Sequence, residues 1–300
     1  MTEKVKNILK NYGGDNPGTL SNLARILNHG ELKGTGKLVI YPVDQGFEHG
    51  PDASFLKNPP SYDPFYHCQL ARDAACSAYA APFGFIDSVA REFSSEIPLI
   101  LKVNNSESLY KNPKSPLPSI TSGVEEALRL GCCAIGFTIY PGSEDSLSMY
   151  EDLVKLARSA RKVGLPTVVW SYPRGGSLSK QGEQALDIVA YATHIACQLG
   201  AHIVKVKPPA DFFERQKLTV SSTDLDQRVS HVMRSAFKAR RIVIFSGGPS
   251  KDTEELLEEV RLLAKGGAFG SIVGRNVFQR SRESSLELLK KIMAIYKEFS

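Results

Sequence analysis

The sequence predicts a (β/α)8 TIM barrel preceded by a helical N-terminal extension, and three observations carry that expectation. Eight short apolar runs recur along the 300 residues. Most are continuous rather than alternating, as strands covered on both faces must be. Segments with apolar residues near helical spacing separate them, the order of a parallel α/β fold. No GxGxxG follows the first run, which disfavours a doubly wound open sheet. The length suits one large barrel or two ordinary domains, and one is the simpler reading.

Residues 1–36 read as helical material broken at Gly and Asn, which leaves 37–300 for the barrel. The expected strands are "KLVIYPV" (37–43), "AYAAP" (78–82), "PLILKV" (98–103) and "CAIGFTI" (133–139) in the first half. The second half supplies "PTVVWSY" (166–172), "HIVKVK" (202–207), "RIVIFS" (241–246) and "SIVG" (271–274). The third strand is followed by a long insertion, 104–123, that holds three prolines. A helix over 144–164 would bury Leu147, Tyr150, Leu153, Val154 and Leu156 and stop at Gly164. A second, over 183–200, would stop at Gly200. A third opens with Asp252 as N-cap and Glu255 three residues on, a capping-box pattern. The last helical segment runs from Arg282 to Phe299.

Composition bounds the function. Hydrophobic residues make up 42% of the chain and charged ones 23%, the balance of a globular protein. The net charge of +5 fits a solvated basic surface or a taste for small anions. Basic clusters with interleaved aromatics are missing, so nucleic acid is not an expected partner. A run of the ~20 apolar residues that span a bilayer is missing too, so no membrane partner is expected. The start, "MTEKVKNILKNYGG", lacks the apolar core of a signal peptide. Cys68, Cys76, Cys132, Cys133 and Cys197 show no CxxC or zinc spacing and read as reduced thiols of a cytoplasmic protein.

A barrel should carry its chemistry at the C-terminal strand ends. After the first strand, "DQGFEHGP" gathers Asp44, Glu48 and His49 with two glycines, as either a capped turn or a functional loop. The fifth strand ends "VVWSYPRGG": Trp170 and Tyr172 share a face, Arg174 follows, and a buried phenol needs a polar partner. The sixth strand aims Lys205 and Lys207 one way while Val204 and Val206 point the other. On an edge strand such lysines reach solvent, but a closed barrel has no edge. Facing the barrel mouth, they would be desolvated and would repel each other. Both effects favour a neutral amine able to attack a carbonyl. The partner lysine would then either lower the nucleophile's pKa or hold an anionic substrate. The seventh and eighth strands end in "FSGGPS" and "VGRNVF", glycine turns that let backbone amides approach phosphate, with Arg275 as a forked donor. His67, His194 and His231 lie in helical patterns as packing or surface residues. HExxH, EF-hand and paired-carboxylate metal motifs do not occur, so neither a metal nor a cofactor is expected, although Asp44, Glu48 and His49 are ligand types.

Together "YPVDQGFEHGP", "GFTIYPGS", "VVWSYPRGG", "GAHIVKVK", "SGGP" and "VGRNVFQR" resemble the archaeal-type (DhnA-type) class I fructose-1,6-bisphosphate aldolases, in their bacterial branch. The resemblance covers nearly all the chain after about residue 37. It implies metal-independent, reversible cleavage of fructose 1,6-bisphosphate to dihydroxyacetone phosphate and glyceraldehyde 3-phosphate. It places the Schiff-base lysine at Lys205, the tyrosine acid/base at Tyr172 and the first-strand aspartate at Asp44. Trp170, Arg174 and His49 match the same motifs as substrate-binding residues. Phosphate would fall to Ser246, Gly247, Gly248, Gly274 and Arg275, with Lys207 and Arg174 for the second phosphate or for tuning Lys205. Gln45 stands where many archaeal members have His. The resemblance also implies a homo-oligomer, often a decamer. A related aldolase acting on another phosphorylated ketose, a metal-dependent aldolase, or a non-catalytic sugar-phosphate barrel remain as alternatives.

Overall fold

The computed structural model describes residues 1–110, 112, 114–215, 224–247 and 252–300. Eight parallel strands form a closed barrel: β1 (Leu38–Pro42), β2 (Ala78–Pro82), β3 (Leu99–Lys102), β4 (Ala134–Ile139), β5 (Thr167–Ser171), β6 (Ile203–Val206), β7 (Ile242–Ser246) and β8 (Gly270–Ile272). Each pairs with its neighbour in sequence, and β8 pairs with β1. The expected barrel is therefore the observed one, every strand within two residues of its sequence boundaries.

Alternation along the strands divides the apolar residues into two cores. Val39 and Tyr41 of β1, Val204 and Val206 of β6, and Val243 and Phe245 of β7 face outward, against the helices. Leu38 and Ile40, Ile203, and Ile242 and Ile244 face inward. The inward core continues into Val5, Ile8, Tyr12, Leu23, Ile26 and Leu27 of helices Glu3–Lys10 and Pro17–Leu27. The N-terminal segment thus floors the N-terminal end of the barrel. Tyr12 pins it: its hydroxyl accepts from the Ile242 amide at 3.0 Å and donates to the His202 carbonyl at 2.6 Å. With that end floored, the inward-facing strand ends meet a cavity at the C-terminal mouth.

Three local expectations change. Leu147 is 73% exposed. In helix Ser146–Lys162 the buried side chains are Met149, Leu153 and Ala160, and Leu147 lies two residues, about 200°, off that stripe. The "DQGFEHGP" loop is instead a short helix, Gln45–His49, followed by another, Pro51–Phe55. The 104–123 insertion is anchored by Asn104–Asn105 pairing antiparallel with Ser119–Ile120. Elsewhere the local signals hold. Asp252 accepts from the Glu254 amide to cap helix Thr253–Lys265, and Gly164 and Gly200 end their helices at φ of +82° and +92°. Among the described residues no helix is long and apolar enough to cross a membrane.

Candidate active site

At the C-terminal mouth lies a polar cavity of about 250 Å³. Ten of the predicted site residues line it: Asp44, His49, Tyr172, Arg174, Lys205, Lys207, Ser246, Gly247, Gly274 and Arg275. Trp170 lies beneath it, buried, and Gly248 falls outside the described residues. An adjoining apolar pocket of about 520 Å³, walled by Phe47, Phe55, Phe83 and Phe85, is lined by no charged side chain.

Lys205 reaches the cavity because β6 alternates: with Val204 and Val206 against the helices, residue 205 must point inward. Its ammonium lies 5.2 Å from the Trp170 ring centroid and 5.4 Å from that of Tyr172. Trp170 is paired with Lys205 across β5 and β6, and its indole lies over Gly136 of β4. A Cβ at Gly136 would come within 2.4 Å of that ring, so the aromatic platform depends on glycine there. The enclosure is 4% exposed at Lys205, and this burial pushes the amine down to about 8.

The neighbouring charges differ from the expected ones. Asp44 and Glu48 oppose the depression of Lys205, while Lys102 and Arg275 add to it. Lys207, expected either to tune Lys205 or to hold an anionic substrate, lies past the end of β6, 3.8 Å from Glu183, and burial together with Arg174 lowers its own pKa to about 8. Arg174 stacks over Tyr140 at 4.5 Å. One side of the mouth is therefore cationic, with Arg174 and Arg275 both adding to the depression of Lys207.

Lys102 escaped the sequence reading. It ends β3 and is 1% exposed, with its ammonium 3.3 Å from Glu48 and 3.7 Å from Asp44. It also donates to the Asn104 carbonyl at 2.8 Å and to Asn105 Oδ1 at 3.2 Å. Burial works against its charge, but Glu48 and Asp44 outweigh it and hold the pKa above the ordinary lysine value. Two buried lysines in one mouth are thus driven in opposite directions, the pattern that separates a nucleophile from a fixed cation. The Lys102 ammonium is the cation paired with both carboxylates of the β1 loop. A single lysine at the C-terminal end of an apolar run carries no signal by itself, because the contacts that bury it come from that loop.

Asp44 precedes the helix Gln45–His49 without capping it through its side chain, and its buried Oδ1 makes no hydrogen bond among the described residues. Tyr172 is hydrogen-bonded to Ser246, yet burial and then Asp44 push its phenol well above the ordinary tyrosine value. His49 is exposed at the rim. Two strands from Lys205, at the end of β8, Gly274 caps a one-turn helix, Arg275–Phe278. A Cβ at Gly274 would sit 3.0 Å from the Pro42 carbonyl, a tight contact that would press the turn away from β1 by a few tenths of an ångström. The Asn276 side-chain amide donates to the Gly247 carbonyl at 3.0 Å, tying the end of β7 to the helix after β8.

Known proteins resemble this chain along most of its length. The profile of the DeoC/LacD family aldolases matches residues 38–280. The "Fructose-bisphosphate aldolase class 1" of Thermoproteus tenax is 41% identical over 246 residues, 82% of this chain and 84% of that protein. A "Probable fructose-bisphosphate aldolase class 1" of Chlamydia muridarum is 34% identical over 92% of this chain and 84% of its own length. A solved archaeal fructose-1,6-bisphosphate aldolase, with its catalytic Lys covalently bound to the carbinolamine intermediate of the substrate, superposes with a TM-score of 0.75 at 37% identity. That similarity covers 87% of this chain and 94% of the other.

Proposed function

This chain belongs to the DeoC/LacD aldolase family, in its class I fructose-bisphosphate aldolase group, and on that premise we propose that Lys205 is its Schiff-base nucleophile. The enzyme reversibly cleaves fructose 1,6-bisphosphate to dihydroxyacetone phosphate and glyceraldehyde 3-phosphate. The observation that carries the residue assignment is the contrast between two buried lysines, Lys205 held toward the neutral amine and Lys102 held charged. At pH 7 an amine with a pKa near 8 is neutral in roughly a tenth of molecules, against less than one in a thousand for an ordinary lysine.

Neutral Lys205 adds to the C2 carbonyl of the open-chain ketose. The proton-bearing phenol of Tyr172 then helps expel water from the carbinolamine, leaving an iminium ion. Asp44, directly or through Tyr172, takes the C4 hydroxyl proton. The C3–C4 bond breaks, its electrons pass into the iminium, and glyceraldehyde 3-phosphate leaves. Protonation of the enamine at C3 and hydrolysis of the imine return dihydroxyacetone phosphate and Lys205. Ser246, Gly247, Gly248, Gly274 and Arg275 hold one phosphate. Arg174 and Lys207 face the other, and His49 closes the rim.

Borohydride trapping with dihydroxyacetone phosphate, followed by peptide mapping, tests the assignment. A reduced adduct on Lys205 is expected. An adduct on Lys207 or Lys102 would keep the reaction and overturn the residue. Residues 1–36 are read as an extension of a single catalytic barrel, 37–300. The enzyme is assigned to the cytoplasm, in keeping with five buried, unpaired thiols. A homo-oligomer, decameric by family resemblance, is part of the same reading. Phe47, Leu56 and Tyr62, exposed apolar side chains around the first loop, agree with it. Light scattering on the purified enzyme should give a mass several times the 32.9 kDa of one chain, and a monomer would remove this element.

A further inference from the structure

The buried cation at the end of β3 raises a question of charge balance. Two carboxylates, Asp44 and Glu48, stand over the mouth close to Lys205, and both favour its ammonium form. Uncompensated, they would hold the nucleophile protonated, because an opposite charge within about 4–6 Å favours the charged form. We propose that Lys102 is a positioning residue that takes up the charge of Asp44 and Glu48, so that Lys205 meets the substrate as a free amine.

Geometry supports this division of labour. The Lys102 ammonium has three N–H donors, and its hydrogen-bond partners are Asn104, Asn105 and Glu48, with Asp44 completing the ring of negative oxygens. A lysine so committed has no lone pair to offer a ketone. Its position fits the role: β3 lies between β2 and β4, across the barrel from β6, so it can meet the β1 loop without entering the path of the substrate to Lys205. It also joins two segments that have no other reason to be in register. Asn104 and Asn105 form the base of the 104–123 insertion, and Glu48 belongs to the helix over the mouth. The other groups bearing on this balance are Tyr140 beside Lys102, and Arg275, Tyr172 and the more distant Lys207 on the Lys205 side.

The inference rests on Lys205 being the nucleophile, and its test separates the two claims. The dependence of kcat/KM on pH is measured for the wild type, Lys102→Met and Lys102→Arg, with the borohydride adduct mapped in each. In Lys102→Met the acidic limb should move up by about one pH unit, a loss of roughly tenfold at pH 7 that is recovered at high pH. Lys102→Arg, which restores the charge, should keep the wild-type limb. A merely structural role would lower kcat/KM by one factor at every pH. An unmoved limb with the adduct still on Lys205 overturns the inference and leaves the nucleophile intact. An adduct on Lys102 overturns both.

Should Lys102→Met fail to fold, Glu48→Gln gives the opposite sign. With one carboxylate removed, the acidic limb should move down. A limb that stays in place or rises in Glu48→Gln would overturn the inference as well.

Discussion

Lys205→Met should lower kcat for fructose 1,6-bisphosphate cleavage by roughly 100,000-fold, because removing the covalent nucleophile removes the reaction path itself. The borohydride adduct should vanish with it. Binding should survive: the residues proposed to hold phosphate lie at the ends of β5, β7 and β8 and on the loop after β6, so calorimetry should find the affinity for substrate within a few-fold of wild type. Stability is the less obvious readout. Lys205 has a pKa near 8 in the folded protein and about 10.5 when unfolded, so the native state binds its proton more weakly. Below pH 8 both states carry the proton and the native state bears the full penalty, roughly 3 kcal/mol. That penalty shrinks as pH rises through the window and is gone above 10.5. Methionine never bears it. The variant should therefore be more stable than wild type below pH 8, and the gap should close between pH 8 and 10.5, as chemical denaturation across that range would show. Residual activity above about one part in a hundred would mean that the nucleophile lies elsewhere, and a stability gap independent of pH would mean that the folded state does not depress Lys205.

How far this site was legible follows from the same residues. The barrel was legible because its strands are buried on both faces and so form unbroken apolar runs, which stand out against helices that keep one polar face. Lys205 was legible for a related reason: two lysines on one face of a strand that must bury both faces have no ordinary explanation. Lys102 was missed because "PLILKV" holds a single lysine at the end of a run, where a long side chain commonly reaches past the sheet into water. What buries it is the helix Gln45–His49 folding over from β1, a contact between positions 54 residues apart. No local pattern encodes it. Lys207 was legible only as a choice between two roles, tuning Lys205 or holding an anion. Adjacency in sequence suggested a pair of mutually repelling amines, while the loop after Val206 turns Lys207 toward Glu183. Leu147 failed for a local reason, since the helix begins at Ser146 and its buried stripe is set by Met149 and Leu153.

Tyr172→Phe carries the second large effect, an expected fall in kcat of roughly 100- to 10,000-fold with KM little changed. The ring stays, so its packing against Lys205 and Lys207 is kept. The hydroxyl alone is lost, at a cost of about 1 kcal/mol in stability for its hydrogen bond to Ser246. The size of the kinetic effect follows from the protonation state. Burial and Asp44 hold the phenol above its ordinary range, so throughout neutral pH Tyr172 carries a proton it can give to the departing hydroxyl of the carbinolamine. Phenylalanine cannot give one, and water is largely excluded from the buried end of Lys205. Imine formation should slow rather than stop, so extended trapping with dihydroxyacetone phosphate should still place a full equivalent on Lys205. The combination matters: a collapsed kcat with a complete adduct assigns the tyrosine to proton transfer, whereas loss of the adduct would assign it to binding. A variant within tenfold of wild type would mean that Asp44 and solvent suffice. Because the wild-type phenol stays protonated well past neutral pH, any basic limb in the wild-type rate profile below pH 10 must come from a group other than Tyr172, and the Phe variant should keep that limb.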